Sequence, residues 1–250
     1  MMTNPDATQR FSDRVADYVK YRPNYPDLLL THLAEAGGKD VADVGSGTGI
    51  LTAGLLERFE TVYAIEPNAD MRAAAEHALA EVPGFISLDA RAEKTGLPER
   101  SVDLVCAAQA FHWFAPVATR AEFERILRPG GMIALIWNDR QTDITPFLEG
   151  YEAALQTWNT DDNKVNHRNA EARVEDFFQG MPHGIQEFKN EQRLDEDGLL
   201  GRIRSSSYTP PPGHPDHTPM MNAFAELFDR HQREGVVRIL YVTRLYWGRP

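Results

Sequence analysis

Residues Asp43 to Gly49, "DVGSGTG", place an acid at the end of an apolar run and then alternate glycine with small residues. Glycine tolerates positive φ and lets a ligand come close to the backbone. Where such a loop runs into a helix, the free N–H groups of the first turn face the same ligand. Glu66 ends a second apolar run, "VYAIEP", about 20 residues further on, where a carboxylate can accept both hydroxyls of a ribose. A dinucleotide fingerprint reads G-x-G-x-x-G, and the position of its third glycine is held here by Ile50. Gly45, Gly47 and Gly49 therefore suit a nucleoside-type cofactor that carries a carboxylate and no pyrophosphate.

These residues must be positioned by the elements around them. Val41–Val44, Thr61–Pro67, "FISLDA", Val102–Ala110 and Met132–Asn138 read as strands, and most are apolar throughout, as strands covered on both faces are. Between them lie helical patterns, Gly49–Phe59, Ala69–Val82 and Ala118–Leu127, the last broken by "RPGG". This alternation predicts an α/β fold with a Rossmann-like, doubly wound, mostly parallel seven-stranded sheet and helices on both faces. After residue 145 come "TPFLEGYEAALQTW", "AEARVEDFFQG", a strand candidate "GIQEFKNEQRL", the helix "MMNAFAELFDRHQ" and an alternating end, "VVRILYVTRLYWG". The expected organisation is one domain, 1–250. It has an entrance helix at 10–33, a cofactor-binding core at 38–140, a small helical lid insertion at 145–205 and a C-terminal helix with final strands at 216–250.

The chain has 250 residues, 42% hydrophobic, with a formal net charge of -11. That balance disfavours nucleic-acid binding, which needs clustered Lys and Arg. A single cysteine, Cys106, excludes an intramolecular disulfide and reads as a packing residue. No run of 18 apolar residues predicts a membrane span, and "MMTNPDATQRFSDR" lacks an apolar leader, so a cytoplasmic protein without membrane partners is expected. His214 and His217 lack a partner pattern for a metal, and no metal site is expected.

"VADVGSGTG", "VYAIEPNADM", "DARAEKTGLPERSVDLVCAAQAFHWF" and "ILRPGGMIALIWN", in this order, resemble a class I S-adenosylmethionine-dependent methyltransferase of the type 11 group. The resemblance covers roughly residues 10–138. It implies S-adenosyl-L-methionine as cofactor, S-adenosyl-L-homocysteine as product, and a role for each matching residue. Asp43, Gly45, Ser46 and Gly47 would pass the methionine part, with Asp43 orienting the loop or the amino group. Glu66 would hold the ribose hydroxyls. Pro67 and Met71 would border the adenine, Ala92 and Glu93 would meet its edge, and Gln109 and Ala110 would stand beside the sulfonium. Other roles stay open for some of these: Asp43 as a loop cap, Met71 as a core residue, Glu93 as a cap of the next turn.

"FSDRVADYVKYRPNYP" resembles the entrance segment of small-molecule methyltransferases close to trans-aconitate methyltransferase, as does "AQAFHWF". Tyr18 and Arg22 are four apart and share a helix face. Tyr18 and Tyr21 would close over the cofactor and Arg22 would pair with its carboxylate. A carboxylate acceptor needs no base, whereas a hydroxyl or amine may need one, for which His112 is the candidate. Phe111, Trp113, Phe114 and Trp137 line the acceptor pocket or belong to the core. Arg140, Arg168, Arg173, Arg202 and Arg204 are available for an acidic acceptor, but nothing in the sequence places them there. The expectation is methyl transfer to a small-molecule carboxylate or hydroxyl oxygen by a monomer or homodimer. An NAD(P)-dependent oxidoreductase, a non-catalytic cofactor-binding protein and a methyltransferase acting on protein or RNA are the alternatives.

Overall fold

A computed structural model describes residues 15–160 and 167–250, so the start of the entrance segment and residues 161–166 lie outside the described residues, as does the side chain of Arg168. Seven strands form one sheet: β1 (Asp40–Val44), β2 (Thr61–Ile65), β3 (Phe85–Leu88), β4 (Val102–Ala108), β5 (Leu127–Arg140), β6 (His183–Leu194) and β7 (Val237–Gly248). Their order is β3-β2-β1-β4-β5-β7-β6. The first five run parallel, and β7 pairs antiparallel with both β5 and β6. This is the expected mostly parallel, doubly wound sheet. The strand order reverses between β1 and β4, so the glycine loop after β1 opens at the switch point where α/β sheets bind ligands.

Alternation along β1 sends Ala42 and Val44 to one face and Val41 to the other, each fully buried. On the first face they meet Val105, Phe123 and Phe177. On the second, Val41 joins Leu104 and Cys106 beneath Leu29 and Leu33 of α2 (Asp27–Glu35) and Leu55 of α3 (Ile50–Leu56). α4 (Ala69–Leu79) and α5 (Pro116–Ile126) complete the helices around the parallel strands. β5 starts earlier than expected: "RPGG" lies inside the strand, and the ladder to β4 shifts register between Val102 and Leu104 to absorb it.

The segment expected as a lid, 145–205, is more than a lid. It holds α6 (Pro146–Thr157), α7 (His167–Phe178) and α8 (Glu196–Arg204), but its residues 183–194 are β6, the edge strand of the sheet. The helical part has its own core. Leu148 and Tyr151 of α6, Leu199 and Ile203 of α8, and Met220 and Phe224 of α9 (His217–His231) are all fully buried and pack together against Ile239 of β7.

α1 (Val15–Tyr21) and the turn after it are fastened to this layer by contacts far apart in sequence. Tyr21 Oη donates to Asp197 at 2.7 Å, and Gln192 Nε2 donates to the Tyr21 carbonyl at 2.7 Å. Gly201 makes the approach possible, since a Cβ there would stand 2.2 Å from the Tyr21 ring. Gly201→Ala is expected to cost about 1–3 kcal/mol by overpacking. Urea unfolding checks this. Adding Tyr21→Ala should remove most of the penalty, a coupling that two independent sites would not show.

Candidate functional site

β1 ends in Asp43, which is 1% exposed. Its Oδ2 accepts from Thr52 Oγ1 at 2.6 Å, and its Oδ1 has no partner among the described residues. Burial pushes this carboxyl up to about 7, against the Thr52 hydrogen bond and with help from the Glu66 charge. The loop then turns on Gly45, Gly47 and Gly49, all at positive φ, and Gly45 N–H donates to the Ile65 carbonyl at 2.8 Å. Ser46 Oγ and Thr48 Oγ1 are also buried without a partner among the described residues. Unsatisfied buried polar atoms are uncommon in folded proteins, and three around one loop indicate a site shaped for a polar ligand.

Glu66, 7% exposed, sits one strand away. Its Oε2 accepts from Gly47 N–H at 2.9 Å and its Oε1 from Asn68 N–H at 2.8 Å. Burial raises its pKa, and those two N–H groups offset part of the rise. Each oxygen keeps a further lone pair for a ligand hydroxyl. Asn68 caps α4 in turn, accepting from Asp70 and Met71 N–H groups. Met71, 7% exposed, sets its sulfur against Gly47. Pro67 is half-buried beside Glu66.

Ala110 closes the other side of the loop. A Cβ at Gly45 would lie 2.5 Å from the Ala110 Cβ, and Gly45 holds φ +71. Gly45→Ala therefore combines a clash with backbone strain, and is expected to cost about 1–3 kcal/mol. Urea unfolding measures it, and Ala110→Gly in the same chain should relieve the clash but not the strain.

Gln109 holds φ 55, an uncommon conformation for a residue other than glycine. Its N–H donates to the Ile136 carbonyl at 2.9 Å and its Nε2 to the Asn138 carbonyl at 3.3 Å. The chain then makes a 3-10 turn, Phe111–Trp113, which carries His112 half-buried and 4.8 Å between ring centroids from Trp113. Arg173 of α7 donates to the His112 and Phe114 carbonyls and so fixes this turn.

Other expected residues are engaged elsewhere. Glu93 Oε1 accepts from Ala115 N–H at 2.8 Å, at the entry to α5, and Ala92 is a core residue. Phe111 and Trp137 belong to the core; Phe111 packs edge-on against Phe177 at 4.9 Å. Arg22 Nη2 donates to the Ser205 carbonyl at 2.9 Å, which ties the entrance segment to the end of α8. Tyr18 lies in α1, but its side chain is outside the described residues. Sequence reasoning missed Thr52 and Asn68. Asn68 had a signal, an Asn just before a helical run. Thr52 had none, being one ordinary helix residue facing Asp43. Among the described residues there is no cluster of His, Cys, Asp and Glu that could hold a metal, and no helix is long and apolar enough to cross a membrane.

Residues 42–135 match a family model described as a methyltransferase domain. An uncharacterized methyltransferase of Mycobacterium tuberculosis is 39% identical over 135 residues, 54% of each chain. A methyltransferase-like protein of Schizosaccharomyces pombe, also uncharacterized, is 29% identical over 60% of this chain and 59% of its own. The chain thus spans little more than half the length of the curated relatives it matches. A solved structure from Anaeromyxobacter dehalogenans, provisionally assigned as a type II methyltransferase, superposes with a TM-score of 0.71 at 25% identity, over 92% of this chain and 98% of the other. The glycine loop and Glu66 lie within the matched span, and over residues 42–135 this chain carries a methyltransferase domain.

Proposed function

We propose that the chain binds S-adenosyl-L-methionine at the glycine loop and transfers its methyl group to an oxygen of a small-molecule acceptor, releasing S-adenosyl-L-homocysteine. The observation that carries this reading is the set of buried, unpartnered polar atoms, Asp43 Oδ1, Ser46 Oγ and Thr48 Oγ1, beside the Glu66 carboxylate. An amino acid joined to a nucleoside offers the complementary groups: an amine for Asp43, a carboxylate for hydroxyls and loop N–H groups, and a diol for Glu66. When bound, this cofactor supplies an electrophilic methyl group on a good leaving group.

The chain's own contribution is then alignment and exclusion of water. Asp43 and Glu66 fix the two ends of the ligand. Met71 gives an apolar, polarisable wall. Gln109 and Ala110 follow β4 beside the loop, and the 3-10 turn carries His112 next along the chain. A carboxylate acceptor arrives already nucleophilic. A hydroxyl acceptor would give its proton to His112.

The test is release of S-adenosylhomocysteine on incubation with S-adenosylmethionine and a panel of small carboxylic acids and phenols. Release that depends on one acceptor supports the proposal. Failure of the folded chain to bind S-adenosylmethionine, with binding of NADH instead, would sink it. His112→Ala separates the acceptor types: the rate should fall about 100-fold or more for a hydroxyl acceptor and little for a carboxylate.

A further inference from the structure

A charge with no counter-charge lies beneath the helical layer. Arg202 of α8 is 4% exposed and makes no ion pair with a carboxylate among the described residues. Its Nη1 donates to Ser206 Oγ at 3.0 Å, and its Nε meets no acceptor. Arg140, at the carboxyl end of β5, pairs with Glu152 and stacks over the Tyr151 ring at 4.9 Å. Its Nε also meets no acceptor, and neither does the hydroxyl of Tyr151, which is fully buried. The two guanidinium groups are close enough to oppose each other's charge. The phenol of Tyr208 stands in the same field. Burial alone would raise its pKa, but Arg202, Arg140 and Arg22 together hold it below the ordinary value.

Arg202 and Arg140 face one carboxylate, Glu152, and Arg22 acts on the same field, so positive charge is in excess in a place with little water. An uncompensated buried charge is among the costliest features a fold can carry, and unmatched buried donors rarely persist without a role. Arg140 ends a parallel strand, so this charge lies beyond the carboxyl edge of the sheet, the same edge as the glycine loop.

We infer that Arg202, Arg140 and Tyr151 form a binding site for one anionic group, a carboxylate or a phosphate, which anchors the methyl acceptor. Naming the ligand an acceptor rests on the proposed methyltransferase function; the anion site itself does not. The excess of positive charge fits an anionic anchor.

The test is calorimetry and thermal shift on the full chain with acetate, benzoate, succinate and inorganic phosphate, against acetamide and benzamide. Each is run with and without S-adenosylhomocysteine. At least one anion should bind and raise the Tm, while the amide of the same shape should not. Arg202→Gln and Tyr151→Phe should each weaken that binding by about tenfold or more, the equivalent of ~1.4 kcal/mol, and leave S-adenosylhomocysteine binding unchanged. A preference for phosphate over the carboxylates would assign a phosphorylated acceptor, and the reverse a carboxylic one. The inference is overturned if no anion binds the folded wild type, if the amides bind equally well, or if both variants keep wild-type affinity for the anion. Should Arg202→Gln fail to fold, Tyr151→Phe carries the same comparison. Anion binding without S-adenosylhomocysteine binding would leave the site standing and remove the methyltransferase reading. Cofactor binding without anion binding would do the opposite.

Discussion

Glu66→Ala is expected to abolish measurable binding of S-adenosylmethionine in calorimetry and to destabilise the unliganded chain. The two effects share one cause. The Glu66 carboxylate holds Gly47 N–H and Asn68 N–H at once, so it clamps the glycine loop to the turn that starts α4. Alanine leaves two partly buried donors without an acceptor, which costs roughly 2–5 kcal/mol in all. It also removes the acceptor proposed for the ribose diol, worth another ~3 kcal/mol or more, or at least about 100-fold in affinity. Glu66→Gln separates the contributions. Its amide oxygen can hold one N–H, but its amide nitrogen faces the other as a second donor. Most of the fold stability should return, and only part of the affinity. An unchanged dissociation constant in a well-folded Glu66→Ala chain would remove Glu66 from the cofactor site.

The second large effect concerns pH. Asp43 has a folded pKa of about 7 against an ordinary 3.8. The neutral carboxyl is favoured in the folded state, so its contribution to stability is complete below about pH 4 and is lost as pH rises to about 7. The loss across that window is on the order of 4 kcal/mol, since one pKa unit is about 1.4 kcal/mol. Asp43→Asn keeps the shape and cannot ionise. The stability difference, wild type minus variant, should therefore fall between pH 4 and 7 and flatten above. Denaturant unfolding of both proteins across this range measures it, and other titrating groups cancel in the difference. A difference that does not change with pH would show that Asp43 is already ionised in the folded chain. A cation held beside Asp43 should restore the charged form, so the proposed cofactor's amine should bind more tightly as pH rises through 7.

What could be read from the sequence was local. The glycines, Asp43 and Glu66 lie within two βα units, where spacing along the chain translates directly into position at the ends of neighbouring strands. The central strands were legible because they are buried on both faces and mostly apolar. The antiparallel end of the sheet was harder: β6 mixes exposed polar residues with few apolar ones, and although it read as a strand candidate, its pairing with β7 is what makes it the edge of the sheet and not part of a lid. The arginine site was not legible at all. Arg140, Tyr151 and Arg202 come from β5, α6 and α8, and nothing in their immediate neighbours marks them as buried. Their burial follows from the way α6, α8 and α9 share one apolar core, which is a property of packing. Phe111 and Trp137 show the converse: the sequence left them open between pocket wall and core, and only the packing of α7 against Phe111 puts them in the core.

The strand order has a consequence for how the protein is made. β7 lies between β5 and β6, so during synthesis β6 emerges with no neighbour to pair with, and it waits until β7 has left the ribosome. α1 waits too, because Tyr21 and Arg22 are held by Gln192, Asp197 and Ser205. The first five strands can pair as they appear, and the cofactor half can therefore assemble early. The acceptor half, with its buried arginines, closes only when the most distant parts of the chain meet, a slow, entropy-limited step. A nascent chain stalled before β7 should therefore already recognise the nucleoside, while its unpaired β6 edge leaves it open to aggregation and a client for chaperones.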